Sequence, residues 1–414
     1  MPAGFFPKSK LLAKKAPTSL VPKCGACGLF ENCNSPKMEP TGKGRRKILI
    51  VAEAPSEEED KKGIQFIGKT GQYAESILKK VGIDMRRDCI LTNSLICSPP
   101  NNATPTSDQV DYCRPNLLKV IDRYKPEVII PMGGAAVQSL LPLVYKEDDI
   151  GGIMRWSGFV IPSQKLNAWI CPTFHPSFVV RANEERTPNP VPAKLFLQHL
   201  KAASKLEGRP WDPVPNYASQ VERIVNPTDA AIAILDLVRS GDPLAFDYEC
   251  TCLKPEYDGA AIVSCSVSNG ERTIAYPWLG KAIEATEIMV RSPNPKIASN
   301  LKYEERWTRK FLRRRVRNWR WDTMNSAHGM DNRPNTTSIK FQAFIHLGTE
   351  AYDEHIKPFL RARNGQRLNR ILQEIDLDQL LLYNGLDSLL EWHVAMIQSK
   401  IAKMEYVWMK IPQR

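Results

Sequence analysis

A chain of 414 residues with 43% hydrophobic and 25% charged side chains is too long for one core and suits two domains of ordinary size. That composition excludes a fibrous or wholly disordered polymer. Its formal charge of +12 favours a polyanionic partner, because each cation brought to a phosphate releases condensed counterions, while no apolar run approaches the ~20 residues that span a bilayer.

The opening MPAGFFPKSKLLAKK has no long apolar stretch followed by a small-residue cleavage site, so residues 1–19 read as a basic arm on a cytosolic protein with no membrane partner. Ten cysteines in a long chain of this kind favour metal binding over a disulfide scaffold. Cys24 and Cys27 form a CxxC, and Cys97 and Cys113 stand far downstream beside prolines or turns. Four thiolates can enclose a [4Fe-4S] cluster or a zinc ion, and their spacing leaves both open.

From residue 47, KILIVA, CILTNSL, PEVIIPM and WICPTF alternate with helical patterns such as GQYAESILKKVG and SDQVDYCRPNLLKVIDRY. That alternation predicts a parallel sheet with helices on its faces. NEERTPNPVPAK reads as a surface loop, LFLQHLKAASKL returns to helical spacing, and the Pro-rich segment over residues 207–220 reads as a linker. PLAFDYEC, AIVSCSVSN and RTIAYPW then predict a hairpin or meander, with helices dominating from about residue 301 to the end. The expected organisation is an arm over 1–19, a first α/β domain over 20–206 carrying the four cysteines, a linker over 207–220 and a second α/β domain over 221–414.

VAEAPSEEEDKKGIQFIGKTGQ, LTNSLICSPPNN and CPTFHPSFVVR, in that order, resemble the three signature stretches of the iron-sulfur, or family 4, uracil-DNA glycosylases. The resemblance covers about residues 20–205 and implies a parallel-sheet α/β/α fold with a [4Fe-4S] cluster on Cys24, Cys27, Cys97 and Cys113. A glycosylase must take its base out of the stack. By the resemblance, Phe66 would stack on the flipped uracil and Asn93 would read its N3 donor and O4 acceptor. His175 would donate to O2 as negative charge builds there, Glu53 would position water or stabilise the positive sugar, and Glu59 would crowd a thymine methyl. Gly63, Gly68 and Gly71 would let backbone approach the nucleotide. Where the family commonly reads GEAPG, this chain has Ala52 to Ser56 as AEAPS, and losing both glycines is expected to crowd the loop nearest the base.

In the second domain, strand alternation puts Asp247 and Glu249 of PLAFDYE on one side, and helical spacing puts Tyr383 and Asp387 of YNGLD one turn apart. With ASNLKYE at residues 298–304, these resemble the three motifs of the DEDDy exonucleases, specifically the proofreading domain of the DNA polymerase I family. The match spans about residues 240–400 and implies a ribonuclease H-like mixed-sheet fold and 3′-5′ exonuclease activity. Clustered carboxylates can hold two Mg²⁺ or Mn²⁺ ions roughly 4 Å apart. By the resemblance, Asp247 would bridge both ions, Glu249 and Asp387 would hold the water-bearing one, Tyr383 would orient the water and Asn300 would support the second motif. Glu304 stands where the family usually has Asp, a change expected to move that carboxylate by roughly 1.5 Å.

The run ERWTRKFLRRRVRNWR over residues 305–320 reads as a helix with Leu312, Val316 and Trp319 as its buried stripe. Arg313, Arg314, Arg315 and Arg317, interleaved with Trp307, Phe311 and Trp319, suit single-stranded DNA or a 3′ end, whose phosphates need cations and whose bases stack. The layout resembles phage polymerases with a glycosylase-like domain in front, which implies action in the cytoplasm of a phage's host. The chain stops at Arg414, soon after the third motif, so the expectation is a DNA replication and repair exonuclease partnered by a separately encoded DNA polymerase. The competing expectation is a noncatalytic DNA-binding accessory subunit of such a polymerase, whose sites bind without reacting.

Overall fold

The computed structural model describes residues 21–147, 149–184 and 187–408; the basic arm expected over 1–19 lies outside the described residues. The chain divides into two compact units. The first runs to Val214 and takes in Phe344–Glu350, and the second comprises Pro215–Ala343 and the described residues from Ala351 onward.

The first unit is built on five strands, β1 (Ile48–Ala52), β2 (Cys89–Asn93), β3 (Val128–Pro131), β4 (Ile161–Ser163) and β5 (Ala168–Ile170). Their order is β2-β1-β3-β5-β4. β1 lies between β2 and β3 in parallel register, Ile48 opposite both Cys89 and Val128, and every residue of β1 is buried. That is why these strands read as continuous apolar runs rather than alternating ones. Ile48 and Ile50 pack with Ile77 and Leu78 of the helix Lys69–Lys80 and with Phe196 and Leu200 of the helix Val191–Ser204. Alternation sends the fully buried Leu49 and Val51 to the opposite face. One correction applies to the all-parallel expectation: β4 is antiparallel to β5 and forms the sheet edge. It has three residues, too few for a period to show.

The second unit carries six strands, β6 (Val221–Arg223), β7 (Leu244–Cys250), β8 (Ile262–Ser268), β9 (Thr273–Pro277), β10 (Lys296–Ala298) and β11 (Trp319–Asp322). β7, β8 and β9 form the antiparallel meander, while β10 and β11 extend it in parallel beyond β7, and β6 pairs in parallel with β9. This is the mixed sheet expected of the second domain. The helix Leu377–Ile401 packs across it and is buried on most of its surface, so its apolar residues are spread around it rather than gathered in one stripe, with buried polar residues among them. A Cβ on Gly385 would stand 2.3 Å from Cγ1 of Val221, which explains a glycine in mid-helix where β6 passes closely.

The basic run departs from the expected helix. The helix Lys302–Phe311 stops there, Arg313 adopts φ 53°, and Trp319–Asp322 leaves as β11 beside β10. Leu312 and Val316 are buried, but from the irregular segment after the helix, whose spacing imitates a helical stripe. No helix among the described residues is long and apolar enough to cross a membrane.

Candidate active site and candidate metal centre

In the first unit the candidate residues gather beyond the carboxyl ends of parallel strands, where open α/β sheets bind ligands. β1 ends at Ala52 and β2 at Asn93, paired in register, and Glu53 follows directly. Asn93 is 4% exposed and its Nδ2 has no hydrogen-bond partner. A buried amide donor left open in this way fits a ligand carbonyl. His175 follows β5, its Nδ1 lying 2.7 Å from Ser177 Oγ and accepting from the Ser177 amide at 3.3 Å. Because that amide can only donate, the ring proton sits on Nε2, which is left as a donor. Burial, reinforced by the Arg181 guanidinium, holds this imidazole down to about 4, so it is neutral at pH 7. Gly133 has φ 92° and a Cβ there would come within 2.8 Å of the His175 Cβ, so the glycine makes room for the histidine. Burial pushes the Glu53 carboxyl up, with Arg181 opposing. Arg181 was missed in the sequence; its signal is its place one helical turn after Ser177 on the helix Pro176–Glu184.

Phe66 is buried in the main core cluster with φ 58°, a left-handed conformation that costs a non-glycine residue about 1 kcal/mol. Two side chains hold it there: its amide donates to Glu59 Oε1 and its carbonyl accepts from Arg86 Nη2 at 2.9 Å. The other oxygen of Glu59 accepts from the Ser56 amide at 2.8 Å, closing a capping box on the helix Glu57–Lys62. The structure thus places Glu59 as the brace of the Phe66 loop. Ser56 lies at φ −73° as the helix N-cap, and Ala52 is an ordinary strand residue whose carbonyl accepts from Ser94. Neither position needs a glycine's freedom, so the expected crowding is not found. Gly71 does matter, since its Cβ would stand 2.4 Å from the Phe66 carbonyl carbon. Gly71→Ala is expected to cost about 2–3 kcal/mol, read as a lower urea midpoint at unchanged slope. Gly63 ends the helix Glu57–Lys62 at φ 67° and Gly68 begins Lys69–Lys80.

Cys24 and Cys27 lie on the single turn Cys24–Cys27, Cys113 on the helix Ser107–Tyr124, and Cys97 in the loop after β2; all four line one apolar pocket. Burial pushes both the Cys97 and Cys113 thiols up, opposed by the Lys37 amide, which donates to Cys97 Sγ at 3.3 Å, and by Asn116 Nδ2, which donates to Cys113 Sγ at 3.4 Å. A zinc ion would draw its sulfurs to about 3.8 Å of one another. Among the described residues, the only three or more His, Cys, Asp or Glu donors within 4.8 Å of each other are carboxylates. The four thiols thus stand further apart than one tetrahedral ion would hold them.

Those carboxylates are Asp247 and Glu249 of β7 and Asp387 of the helix Leu377–Ile401. Burial and then the charge of Asp387 push Asp247 up to about 7, and burial with Asp247 and Asp387 pushes Glu249 well up. Such mutual repulsion is what a multivalent cation relieves. Asn384 Nδ2 donates to Asp247 Oδ2 at 2.7 Å and is itself held by Ser264 and Ser266. Lys340 Nζ donates to Tyr383 OH at 2.9 Å and to Asp387 Oδ1 at 3.2 Å, and the Tyr352 hydroxyl donates to Asp387 Oδ1. The buried Tyr383 phenol is held well above its usual range, first by burial and then by Asp387, so it stays protonated.

Glu304 lies outside the three-carboxylate group, buried in the first turn of Lys302–Phe311. That turn is fixed by Asp322, which accepts from the amides of Asn300 at 3.1 Å and Leu301 at 3.2 Å. The same carboxylate caps Thr323–Met330 through the Met324 and Asn325 amides. Asn300, expected to support this motif, does so with backbone at φ 66°. Asp322→Ala is expected to cost about 2 kcal/mol or more, again read from the urea midpoint. Asn384, Lys340, Tyr352 and Asp322 were not singled out in the sequence. Asn384 lies inside YNGLD, but Lys340, in the stretch TSIKFQAFIHLG, and Tyr352 lie outside the three motifs and arrive by folding.

The basic segment also changes meaning. Arg306, Arg309 and Arg314 are ion-paired with Glu256, Glu305 and Glu287. Trp307 is fully buried, and Trp319 stacks on Phe246 while donating to Glu305. These two indoles are structural, which corrects their expected role against bases. Arg313, Arg315 and Arg317 are exposed, and Phe311, 36% exposed, leans on Trp307.

The profile of the Uracil DNA glycosylase superfamily matches residues 40–201. The type-4 uracil-DNA glycosylase of Thermotoga maritima is 34% identical over 174 residues, 40% of this chain and 83% of that protein. The DNA polymerase of Bacillus phage SP01 is 27% identical over 185 residues, which are 44% of this chain and 18% of the polymerase. Among solved structures, Escherichia coli RNase D, an exoribonuclease, is similar at 13% identity and a TM-score of 0.34, over 45% of this chain and 46% of that one. By the identity and coverage of its first unit, the chain belongs to the uracil DNA glycosylase superfamily, in likeness to its type-4 members.

Proposed function

We propose that the chain acts on DNA at two sites, excising uracil at the first and hydrolysing nucleotides from 3′ ends at the second. The first half rests on the open, buried Nδ2 of Asn93 at the strand ends that also carry Glu53 and precede His175. A flipped uracil offers O4 to that donor and N3–H to the amide oxygen, a pairing that cytosine reverses. As the bond between C1′ and N1 breaks, its electron pair passes into the ring and charge collects on O2. The neutral His175 Nε2–H stabilises it there, and the Glu53 carboxylate faces the positive sugar and the incoming water. Glu59 and Arg86 act at one remove by holding Phe66 for stacking. Cys24, Cys27, Cys97 and Cys113 would hold a [4Fe-4S] cluster, which ties the N-terminal segment to the rest of this unit.

The second half rests on three carboxylates within 4.8 Å of one another beside a protonated tyrosine. Divalent cations, when bound, supply charge neutralisation at the phosphate and activation of water. Asp247, Glu249 and Asp387 would hold one, and Asp247 and Glu304 would border a second. Asn384 keeps Asp247 oriented. Tyr383 accepts from Lys340, so its own proton remains for the phosphate or the nucleophile, and the Lys340 cation adds attraction for the phosphate. Arg313, Arg315 and Arg317 would meet the DNA backbone. The likeness to a phage DNA polymerase supports a place beside a polymerase whose 3′ ends this site trims.

The test is a 5′-labelled single strand incubated with Mg²⁺ or Mn²⁺ and the full chain. A ladder shortening one nucleotide at a time supports the second half, and alkali-sensitive breaks at an internal uracil support the first. Tight binding of an unchanged strand would leave a noncatalytic accessory protein.

A further inference from the structure

The helix Leu377–Ile401 carries a carboxylate that none of the three motifs includes. Glu391 stands one turn beyond Asp387, on the same helix face. It is 2% exposed and its Oε2 has no hydrogen-bond partner. Glu304 shares both properties, also 2% exposed with an unpartnered Oε2. For each of them Asp247 is the foremost charged neighbour, and Glu391 also lies within electrostatic reach of Glu304 and Asp387. Lys340 is a cation within electrostatic reach of Glu391, but it already serves Asp387 and Tyr383. Asp322, next to Glu304, has its oxygens engaged by backbone amides and cannot relieve either of them.

Two buried carboxylate oxygens without donors, each with Asp247 as foremost charged neighbour, form an arrangement that folding disfavours and that a shared cation would relieve. Hard oxygen donors with this density of charge suit Mg²⁺ or Mn²⁺. We propose that Glu391 is a ligand of the second divalent cation, drawn in by the ion with Glu304 toward Asp247, next to the site of Asp247, Glu249 and Asp387, the only three donors that already lie within 4.8 Å of one another among the described residues. This rests on reading the centre as a two-cation site. It gives the Asp-to-Glu change at position 304 a partner: the site is assembled from two long carboxylates, one on each flanking helix. Glu391 is then a metal ligand of the reaction centre, additional to the four carboxylates of the motifs.

The experiment is a Mn²⁺ titration of the full chain, with free Mn²⁺ followed by electron paramagnetic resonance and thermal unfolding run in parallel. Two bound ions are expected for the wild type and none for Asp247→Ala. Glu391→Gln should keep one ion and weaken the other by about tenfold or more, with Glu391→Asp intermediate. Without metal Glu391→Gln should unfold at or above the wild-type temperature, because it removes a buried, unpartnered charge, and Mn²⁺ should raise its unfolding temperature less than that of the wild type. If Glu391→Gln binds two ions with unchanged affinity while Asp247→Ala loses them, Glu391 is no ligand and the proposal falls alone. If the wild type binds no Mn²⁺, the two-cation reading falls with it.

Discussion

Asp247→Ala is expected to lower release of 3′ nucleotides by roughly 10³-fold or more, about 4 kcal/mol of transition-state stabilisation, while uracil release changes by less than about twofold. Asp247 lies at the middle of the carboxylate centre: it belongs to the group within 4.8 Å, and it is the foremost charged neighbour of Glu304 and Glu391. Asn384, fixed by Ser264 and Ser266, sets its orientation. Removing it therefore takes a donor from both cation positions at once. Steady-state release of labelled mononucleotide measures the loss, and retention of more than about a tenth of wild-type rate would show that Asp247 is not shared between them.

His175→Ala should lower uracil release by about 10²–10³-fold and leave nucleotide release unaffected. The accompanying pH profile is equally specific. Burial and Arg181 hold the imidazole down to about 4, so the neutral donor persists through the usual histidine range and His175 should add no limb there; any acid limb belongs to Glu53, whose carboxyl burial pushes up. The sign for stability follows from the same shift. Between the folded value and the unfolded value near 6.5, the unfolded chain binds more protons, so the contribution of His175 is full above the upper value and is lost as pH falls through the lower one. An acid limb centred near the ordinary histidine value that His175→Ala abolishes would contradict this environment.

The parts of the fold legible in the sequence are those whose pattern is long or chemically loud. Continuous apolar runs marked β1, β2, β3 and β5 because parallel strands are covered on both faces, and FDYE showed by alternation that two carboxylates share a side. The strands β4, β6, β10 and β11 have three or four residues each, as short as β3 and β5, but unlike those they stand in no continuous apolar run. The break after Phe311 was hidden because Leu312 and Val316, four apart and both buried, match a helical stripe while lying in the irregular segment after the helix.

The candidate sites divide in the same way. Asn93, His175, Asp247, Glu249 and Asp387 stand in motifs, and their residue types announce their chemistry. Arg181 closes the stretch CPTFHPSFVVR one helical turn after Ser177, whereas Lys340, Tyr352 and Glu391 reach their sites only through packing, and nothing local distinguishes them from a solvated helix face or a core tyrosine. Conversely, Trp307 and Trp319 looked like stacking platforms but fill the core and hold Glu305. Ser56 looked like a damaging replacement and instead caps a helix. A side chain's type limits what it can do, but its partners decide which of those roles it takes.

The central claim is that one chain carries two chemically separate sites, one of which needs a divalent cation at the reacting phosphate. The most direct measurement uses a 3′-labelled strand with an internal uracil, incubated with the intact protein in Mg²⁺ and in excess EDTA, with free uracil and free mononucleotide followed together. Mononucleotide release that stops in EDTA while uracil release continues is the predicted result. Nucleotide loss that survives EDTA, or uracil release that vanishes with the divalent cation, would contradict it.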